Sequence, residues 1–382
     1  MTHSLVEIVA IAGCACSCGY YVLCLASAGE FLRERKSRAC ATAARVPVSI
    51  LKPLKGADPQ MYEAFRSHCL QDYPEYEIIF GVSDAGDPAI AGVKQLQAEF
   101  PDRAITLVVC PNILGPNVKV SNLAQMVQSA RHEHLLVNDS DIRVEPDYLS
   151  RVFAPFADEK IGMVTCLYRG VPMATPGSKL ESLGISTDFI PGVLAAKKLQ
   201  GIRFGLGSTL AFRRRDLDRI GGFRSIVDFL ADDYELGAGI AGLGLEVQLS
   251  DVTVETHLPA YDLSGYWLHQ LRWARAVRDA RRGGYFGLIF TFGLLWALLA
   301  VIAAPMSRWA WLVAVLVVVM RVIVALRVGK SVLQDGGVLP NLWLMPLRDL
   351  LGIAVWLVSL FGSTVVWRGQ KFTLKNGRLR AI

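Results

Sequence analysis

An apolar run at residues 5–28, about 24 residues with Glu7 as its single charged side chain, restricts most strongly what this chain can become. A helix of about 20 apolar residues crosses the roughly 30 Å hydrocarbon layer of a bilayer, so the run is long enough to span one. Residues 285–304 and 309–326 form two more spanning candidates, joined by a tight link at 305–308. Residues 338–367 are apolar but interrupted by Pro340, Pro346, Arg348 and Asp349. A single span at 350–367 would leave the basic tail outside, so we expect a re-entrant or interfacial piece at 338–347 that brings it back. Arg348 and Asp349 read either as a functional intramembrane pair or as an interfacial ion pair.

Of the 382 residues, 52% are hydrophobic, and the mean hydropathy of +0.36 is too high for an ordinary soluble enzyme. The middle of the chain is too charged for a pure transporter. The net charge of +6 comes from clusters beside the apolar segments: Arg33, Arg35, Lys36 and Arg38; Arg275, Arg278, Arg281 and Arg282; Arg368, Lys371, Lys375, Arg378 and Arg380. Such clusters suit anionic headgroups and cytoplasmic flanks. A nucleic-acid partner is not expected, because no soluble face combines aromatic and basic residues. The eight cysteines show no CxxC pair and no Cys/His zinc spacing, which argues against a disulfide framework and for a reducing compartment. Ile11 to Cys14 resembles a lipoprotein cleavage box, but no Lys or Arg precedes it and the apolar run continues beyond it. An uncleaved anchor is the expectation.

These patterns divide the chain into an anchor (1–30), a basic linker (31–46), a soluble domain (47–258), an amphipathic interface helix (259–283), membrane segments (284–367) and a basic tail (368–382). We expect a multi-pass protein of a bacterial inner membrane with the soluble domain facing the cytoplasm. Within that domain, short apolar runs at 48–51, 77–82, 105–110 and 134–138 alternate with helical patterns at 60–70, 89–100 and 119–132. Strands alternating with helices of this length predict a parallel α/β sheet. Further strands are expected at 162–168, 208–213 and 246–249, and helices at 217–220, 234–242 and 261–280.

In such sheets ligands gather at the carboxyl ends of strands. Asp84 follows the second apolar run and Asp139 the fourth. Asp139, Ser140 and Asp141 form a DxD pattern, whose carboxylates suit a hard cation such as magnesium or manganese; the alternative is a loop of solvated acids. Asp84 either accepts hydrogen bonds from a nucleotide or closes an Asx-turn before Pro88. Asp232 and Asp233 either cap a helix or supply a general base. His269, Arg272 and Trp273 either meet a diphosphate and a sugar or hold the membrane edge. His132 and His134 flank Glu133 at a spacing that does not fit a zinc motif, and the segment from Gly205 to Ser208 makes a poor phosphate loop.

Taken together, these landmarks resemble the processive and lipid-directed glycosyltransferases that share the pattern D, DxD, (E/T)D and (Q/R)xxRW. The stretches LKPLKG, GVSDAGDPAI, GPNVKVSNL, DSDIRVEPDYL, GSTLAFRR and LADDYELG are most similar to the ceramide glucosyltransferase family, family 21. NDSDIRV, TCLYRG and HQLRWAR are closest to bacterial hopanoid-biosynthesis glycosyltransferases. The resemblance covers residues 47–283 and implies a GT-A-like α/β domain that moves a sugar from a UDP-sugar to a membrane lipid hydroxyl with inversion. It assigns donor binding to Lys52, Pro53, Asp84, Lys119, Asp139 and His269, a divalent metal (Mg2+ or Mn2+) to Asp139 and Asp141, the base to Asp233, and donor closure to Arg272 and Trp273. The chain departs from the pattern twice, with His269 in place of Gln or Arg and Asp232 in place of Glu or Thr. N-acetylglucosamine on a hopanoid polyol is the favoured product. Glucosylceramide is the second, a non-catalytic lipid-binding or export subunit an alternative of another class, and a polysaccharide synthase a third that this few spans disfavours.

Overall fold

The computed structural model describes residues 4–38, 45–58, 60–367 and 370–381, and forms two compact units. The first unit holds residues 1–35, 174–201 and 260–367, and the second holds 36–173, 202–259 and 368–382. Residues 39–44 of the expected linker, including Cys40, and Arg368 in the tail lie outside the described residues.

The second unit is built on eight strands: β1 (Val48–Leu54), β2 (Tyr76–Val82), β3 (Ala104–Val109), β4 (His134–Val137), β5 (Ile142–Arg143), β6 (Ile161–Val171), β7 (Leu210–Arg213) and β8 (Glu246–His257). They lie in the order β3-β2-β1-β4-β7-β6-β8-β5. The first four strands are parallel, as the alternation of apolar runs and helices requires. The next partner, β7, runs antiparallel to both β4 and β6. β1 and β2 are buried along their whole length, which explains why they read as continuous apolar runs and not as alternating ones. Helices at Met61–Cys69, Ala89–Glu99 and Val118–Met126 fall where the pattern placed them. Strand β8 is much longer than the run at 246–249, because polar Thr253 and Thr256 pair with β6 and β5 beyond a register shift at Ser250 and Asp251, and together they hide the period.

The basic tail belongs to the same unit and is a hairpin, Gln370–Lys375 with Arg378–Ala381. Asn376 and Gly377 both have positive φ, 52° and 76°, the combination that a two-residue I′ turn demands. The hairpin docks on the loop before the Asp232 helix: Leu230 N–H donates to Gly377 O (3.0 Å) and Leu379 N–H to Asp228 O (2.7 Å).

The first unit is helical. Among the described residues, Leu5–Ser37, Arg308–Val332 and Val338–Ser359 are long and apolar enough to cross a membrane. The basic residues Arg33, Arg35 and Lys36 continue the first helix and are not part of a linker. The expected span at 285–304 is instead two helical pieces, Arg282–Thr291 and Gly293–Ala303, bent by 50°. The chain leaves helical dihedrals at Phe292 (φ −79°, ψ 68°). The last expected span is also displaced. Helical turns run from Val338 to Ser359, and Thr364–Trp367 is a strand. Pro340 and Pro346 lie in first turns, where a missing N–H costs nothing, so they do not divide the segment as the sequence suggests. Leu312, Val315, Leu316 and Val319 remain exposed on Arg308–Leu326, as a lipid-facing side requires. An unpredicted helical stretch, Pro176–Gln200, contains a π turn at Ile185–Phe189. Its Leu180 and Leu183 are buried with Tyr266 and Leu344.

Candidate functional site

Strand β4 ends at Val137, and the three residues of the DxD pattern follow at the carboxyl edge of the sheet. Asn138 anchors this corner: its amide donates to Ser208 O (2.6 Å) and to the Tyr148 hydroxyl (3.0 Å), while its oxygen lies 3.1 Å from His68 Nε2. Beneath it Lys52 is buried, donating to Asp139 O (3.1 Å). Burial pulls the Lys52 ammonium down to about 7 against the opposing pull of Asp141 and Asp139, and pulls His68 down to about 3. Lys52 thus braces the backbone of the pattern from inside the sheet. Pro53 is buried in β1 opposite Gly81. It is tolerated there because β4 pairs with β1 only as far as Leu51.

The carboxylates meet across a cation and a glycine. Lys119, in the first turn of the Val118–Met126 helix, contacts Asp139 Oδ1 (2.8 Å) and Asp232 Oδ2 (3.0 Å). Those two acids raise the Lys119 pKa despite its burial. Asp233 Oδ2 accepts from Gly207 N–H (2.9 Å) and Oδ1 from Tyr234 N–H (2.8 Å). A Cβ placed on Gly207 would lie 3.2 Å from Asp139 Oδ2 and 3.4 Å from Asp233 Oδ2. The bare glycine therefore keeps open the space between the DxD acid and the expected base. Gly205 and Gly237 do the same at the backbone level: Gly205 N–H donates to Asp233 O (3.1 Å), and a Cβ on Gly237 would stand 2.3 Å from Gly205 N. Sequence reading set this glycine segment aside because it does not cradle a phosphate; its role is to let Asp233 approach Asp139.

Asp233 is pushed up to about 6, first by burial and then by adjacent Asp232. Asp141 is pushed up to about 6 by burial and by Asp139, against the hydrogen bond from Thr256. The two oxygen-bearing side chains Asp139 and Asp141 suit a hard cation in kind. Among the described residues, no group of three or more His, Cys, Asp and Glu side chains could hold a metal. A cation here would be completed by oxygens of a bound ligand, as expected for one that serves a diphosphate.

Asp84 closes its own turn, accepting from Gly86 N–H (2.8 Å), and its side chain lies exposed past the end of β2. The Asx-turn reading holds, and it leaves one carboxylate oxygen for a ligand. Neighbouring Asp87 accepts from Gly56 N–H (3.0 Å) and Ala89 N–H (2.9 Å), tying the loop after β1 to the next helix. Asn117 was also missed: it caps the Lys119 helix through Val120 N–H (3.1 Å) and donates to Phe229 O (2.8 Å). Its place two residues before Lys119 at a helix start was the available signal.

His269, Arg272 and Trp273 lie in the helical unit, on Leu263–Ala280, which Asp262 caps through Gly265 N–H (2.7 Å). His269 stands between Tyr261 and Trp273, with ring centroids at 5.2 and 5.0 Å. Trp273 also packs on Phe189 (5.9 Å). Buried Glu181 lies 3.3 Å from His269 Nδ1 and accepts from Gln270 Nε2 (2.7 Å). Burial raises the Glu181 pKa, but His269 and Gln270 more than offset it and leave it lowered. The departure to His at the first position of HQLRW is therefore matched by a buried acid, which no spacing rule reveals.

A mannosyltransferase from Pyrobaculum calidifontis, solved with GDP-Man and Mn2+, superimposes with a TM-score of 0.56 at 22% identity, covering 94% of this chain and 99% of that one. The two share a GT-A-like fold. Ceramide glucosyltransferase 1 of Caenorhabditis elegans is 24% identical over 350 residues, 87% of this chain and 73% of that protein. The ceramide glucosyltransferase of Komagataella phaffii is 35% identical over 108 residues, 27% of this chain and 21% of that protein. Residues 9–380 match the family described as Glycosyl transferase family 21. The match takes in the strand-end carboxylates, the glycine gap between them and the flanking helices alike, and this chain belongs to that family of glycosyltransferases.

Proposed function

We propose that this protein transfers a sugar from a UDP-sugar to a hydroxyl of a membrane lipid, inverting the anomeric carbon. The observation that carries the reading is the approach of Asp233 and Asp139 across Gly207, with Lys119 bridging Asp139 and Asp232. Asp233 takes the proton of the acceptor hydroxyl as its oxygen bonds to the anomeric carbon, and the bond from that carbon to the UDP oxygen breaks. A pKa near 6 suits a base that must be free at neutral pH and still take a proton. Asp139 and Asp141 are the residues to hold a divalent cation, which when bound neutralises charge on the departing diphosphate. Lys119 adds a fixed positive charge beside them. Asp84 and the end of β1 carry the nucleotide, and His269, Arg272 and Trp273 are assigned to donor closure on their motif alone.

The favoured acceptor is a hopanoid polyol receiving N-acetylglucosamine, on the similarity of NDSDIRV, TCLYRG and HQLRWAR. Ceramide receiving glucose stands beside it, because the relatives that match are named ceramide glucosyltransferases. The three apolar helices fit an acceptor that stays in its bilayer, here read as a bacterial inner membrane with the catalytic unit on the cytoplasmic side. The test is a donor–acceptor matrix on the purified full chain. UDP-glucose and UDP-N-acetylglucosamine are each offered with ceramide and bacteriohopanetetrol, and lipid products are read by mass spectrometry. A hexosamine-bearing hopanoid supports the favoured reading, and a hexosylceramide moves the chain to the second. No glycolipid in any pairing, with UDP released only to water, refutes lipid transfer to either acceptor.

A further inference from the structure

The helical unit contains four charged side chains that the transfer reaction does not use. Arg348 and Asp349 are adjacent in sequence, yet each pairs elsewhere. Arg321 grips Asp349 with both arms of its guanidinium, Nε at 3.1 Å and Nη2 at 2.8 Å. Arg348 Nη2 donates to Asp188 Oδ2 (3.0 Å). Both arginines are buried, at 8% side-chain exposure, and Asp349 nearly so at 16%. Charges inside an apolar helix layer are expensive and are usually retained for a function.

The two pairs are not equivalent. Arg321 and Asp349 saturate each other, and Arg321 also donates to Thr187 O. Arg348 and Asp188 do not. Arg348 Nε is buried against Gly184 without a hydrogen-bond partner, and Nη1, on the side of Gly352, takes none among the described residues. Asp188 is 43% exposed and takes one hydrogen bond among the described residues. It sits on the π turn Ile185–Phe189, a distortion that recurs at functional sites because it re-aims a side chain. Both residues line a cleft with Tyr21, Arg321, Asp349 and Gly352. Its cavity volume is about 20 Å³, the room of one water-sized group. A Cβ on Gly352 would stand 2.6 Å from Arg348 Nη1, so that glycine lets the guanidinium lie where it does.

We infer that this cleft binds one hydroxyl of a neutral membrane lipid, with Arg348 donating to the hydroxyl oxygen and Asp188 accepting its proton. A hydroxyl is both donor and acceptor, which is what a half-used arginine–aspartate pair offers. The charges select against an anionic lipid: two arginines and two aspartates sum to zero, and exposed Asp188 repels a phosphate. A single pocket of this size takes one hydroxyl and no sugar ring. The inference rests on the reading of the chain as a lipid glycosyltransferase, and makes Asp188 and Arg348 acceptor-positioning residues.

The experiment uses the full chain in nanodiscs of neutral phospholipid. Acceptor binding is measured without turnover by native mass spectrometry, with bacteriohopanetetrol, ceramide or phosphatidylglycerol as probes. UDP affinity and, where turnover occurs, acceptor KM and kcat are measured alongside. Asp188→Ala should weaken binding of a neutral hydroxylated lipid by at least tenfold and raise its KM in proportion, with UDP affinity and kcat within about threefold of wild type. Asp188→Asn, which keeps an acceptor oxygen, should restore most of the loss. Phosphatidylglycerol should bind no better than bulk lipid. Unchanged lipid binding in Asp188→Ala overturns the inference, as does a parallel loss of UDP affinity. If Asp188→Ala does not fold, Gly352→Ala displaces the guanidinium and must give the same selective loss; normal lipid binding in that variant also overturns the inference. Absence of transfer with intact lipid binding counts against the glycosyltransfer reading and leaves the cleft standing.

Discussion

Asp233→Asn separates catalysis from folding. As a general base, Asp233 is worth about 10²–10⁴-fold in rate, or roughly 3–5 kcal/mol of barrier. The two backbone N–H groups that Asp233 accepts, from Gly207 and Tyr234, cannot both be satisfied by an asparagine with one oxygen. Losing one acceptor costs about 1–3 kcal/mol. Against this stands a relief. The Asp233 pKa is raised in the fold from 3.8 to about 6, so at pH 7 the native state holds a carboxylate that burial and Asp232 disfavour. That penalty is absent below pH 4, grows between about 4 and 6, and is full above 6. At about 1.4 kcal/mol per pH step it amounts to roughly 3 kcal/mol before solvent screening of the partly exposed group is allowed for. The neutral asparagine removes it. Transfer should therefore fall by about 10²–10⁴ while the melting temperature in chelator stays within about 5 °C of wild type. Wild-type turnover should also decline as pH falls through about 6, because the proton then occupies the base, and the residual activity of Asp233→Asn should lack that limb. Activity within tenfold of wild type, or a collapse of melting temperature and UDP affinity together with activity, would refute the reasoning.

Chelation with EDTA should stop transfer, with magnesium or manganese restoring it, and Asp141→Asn should raise the metal concentration for half-recovery by tenfold or more; full turnover in EDTA contradicts the metal role of Asp139 and Asp141. In the tail, Gly377→Ala forces a Cβ onto a φ of 76° and to within 3.3 Å of Phe229. It should cost about 1 kcal/mol and speed limited proteolysis of residues 370–381 with little change in UDP affinity. Unaltered proteolysis would show that the Asn376–Gly377 turn does not hold the hairpin.

Much of the α/β unit was legible because its signals are local. Strands β1 and β2 are buried along their whole length and β4 nearly so, and they read as apolar runs; a strand followed by an acid marks a ligand-binding edge by topology alone. The tail hairpin was equally legible in its Asn-Gly pair, and was passed over because the basic residues around it drew a membrane reading. Gly207, Asn117 and Glu181 escaped for a different reason. Each acts on a residue distant in sequence: Gly207 on Asp139 and Asp233, Asn117 on Phe229, Glu181 on His269. No spacing records such contacts.

The membrane region shows where hydropathy stops. Its apolar length establishes that helices form there, since an unpaired backbone cannot sit in hydrocarbon. It does not say where a helix begins or bends. Pro340 and Pro346 look like breaks until they are seen in first turns, and residues 285–304 look continuous until Phe292 leaves helical dihedrals. By itself the sequence determined an anchored α/β domain with acids at its strand ends, because burial, period and composition act over a few residues, while glycosyl transfer was read from the resemblance of its motifs. The tertiary structure alone decided that Lys119 bridges two acids, that Gly207 holds the gap open, and that Arg348 turns from Asp349 to Asp188. Those are packing and electrostatic outcomes, set by which distant segments share a small volume of low dielectric.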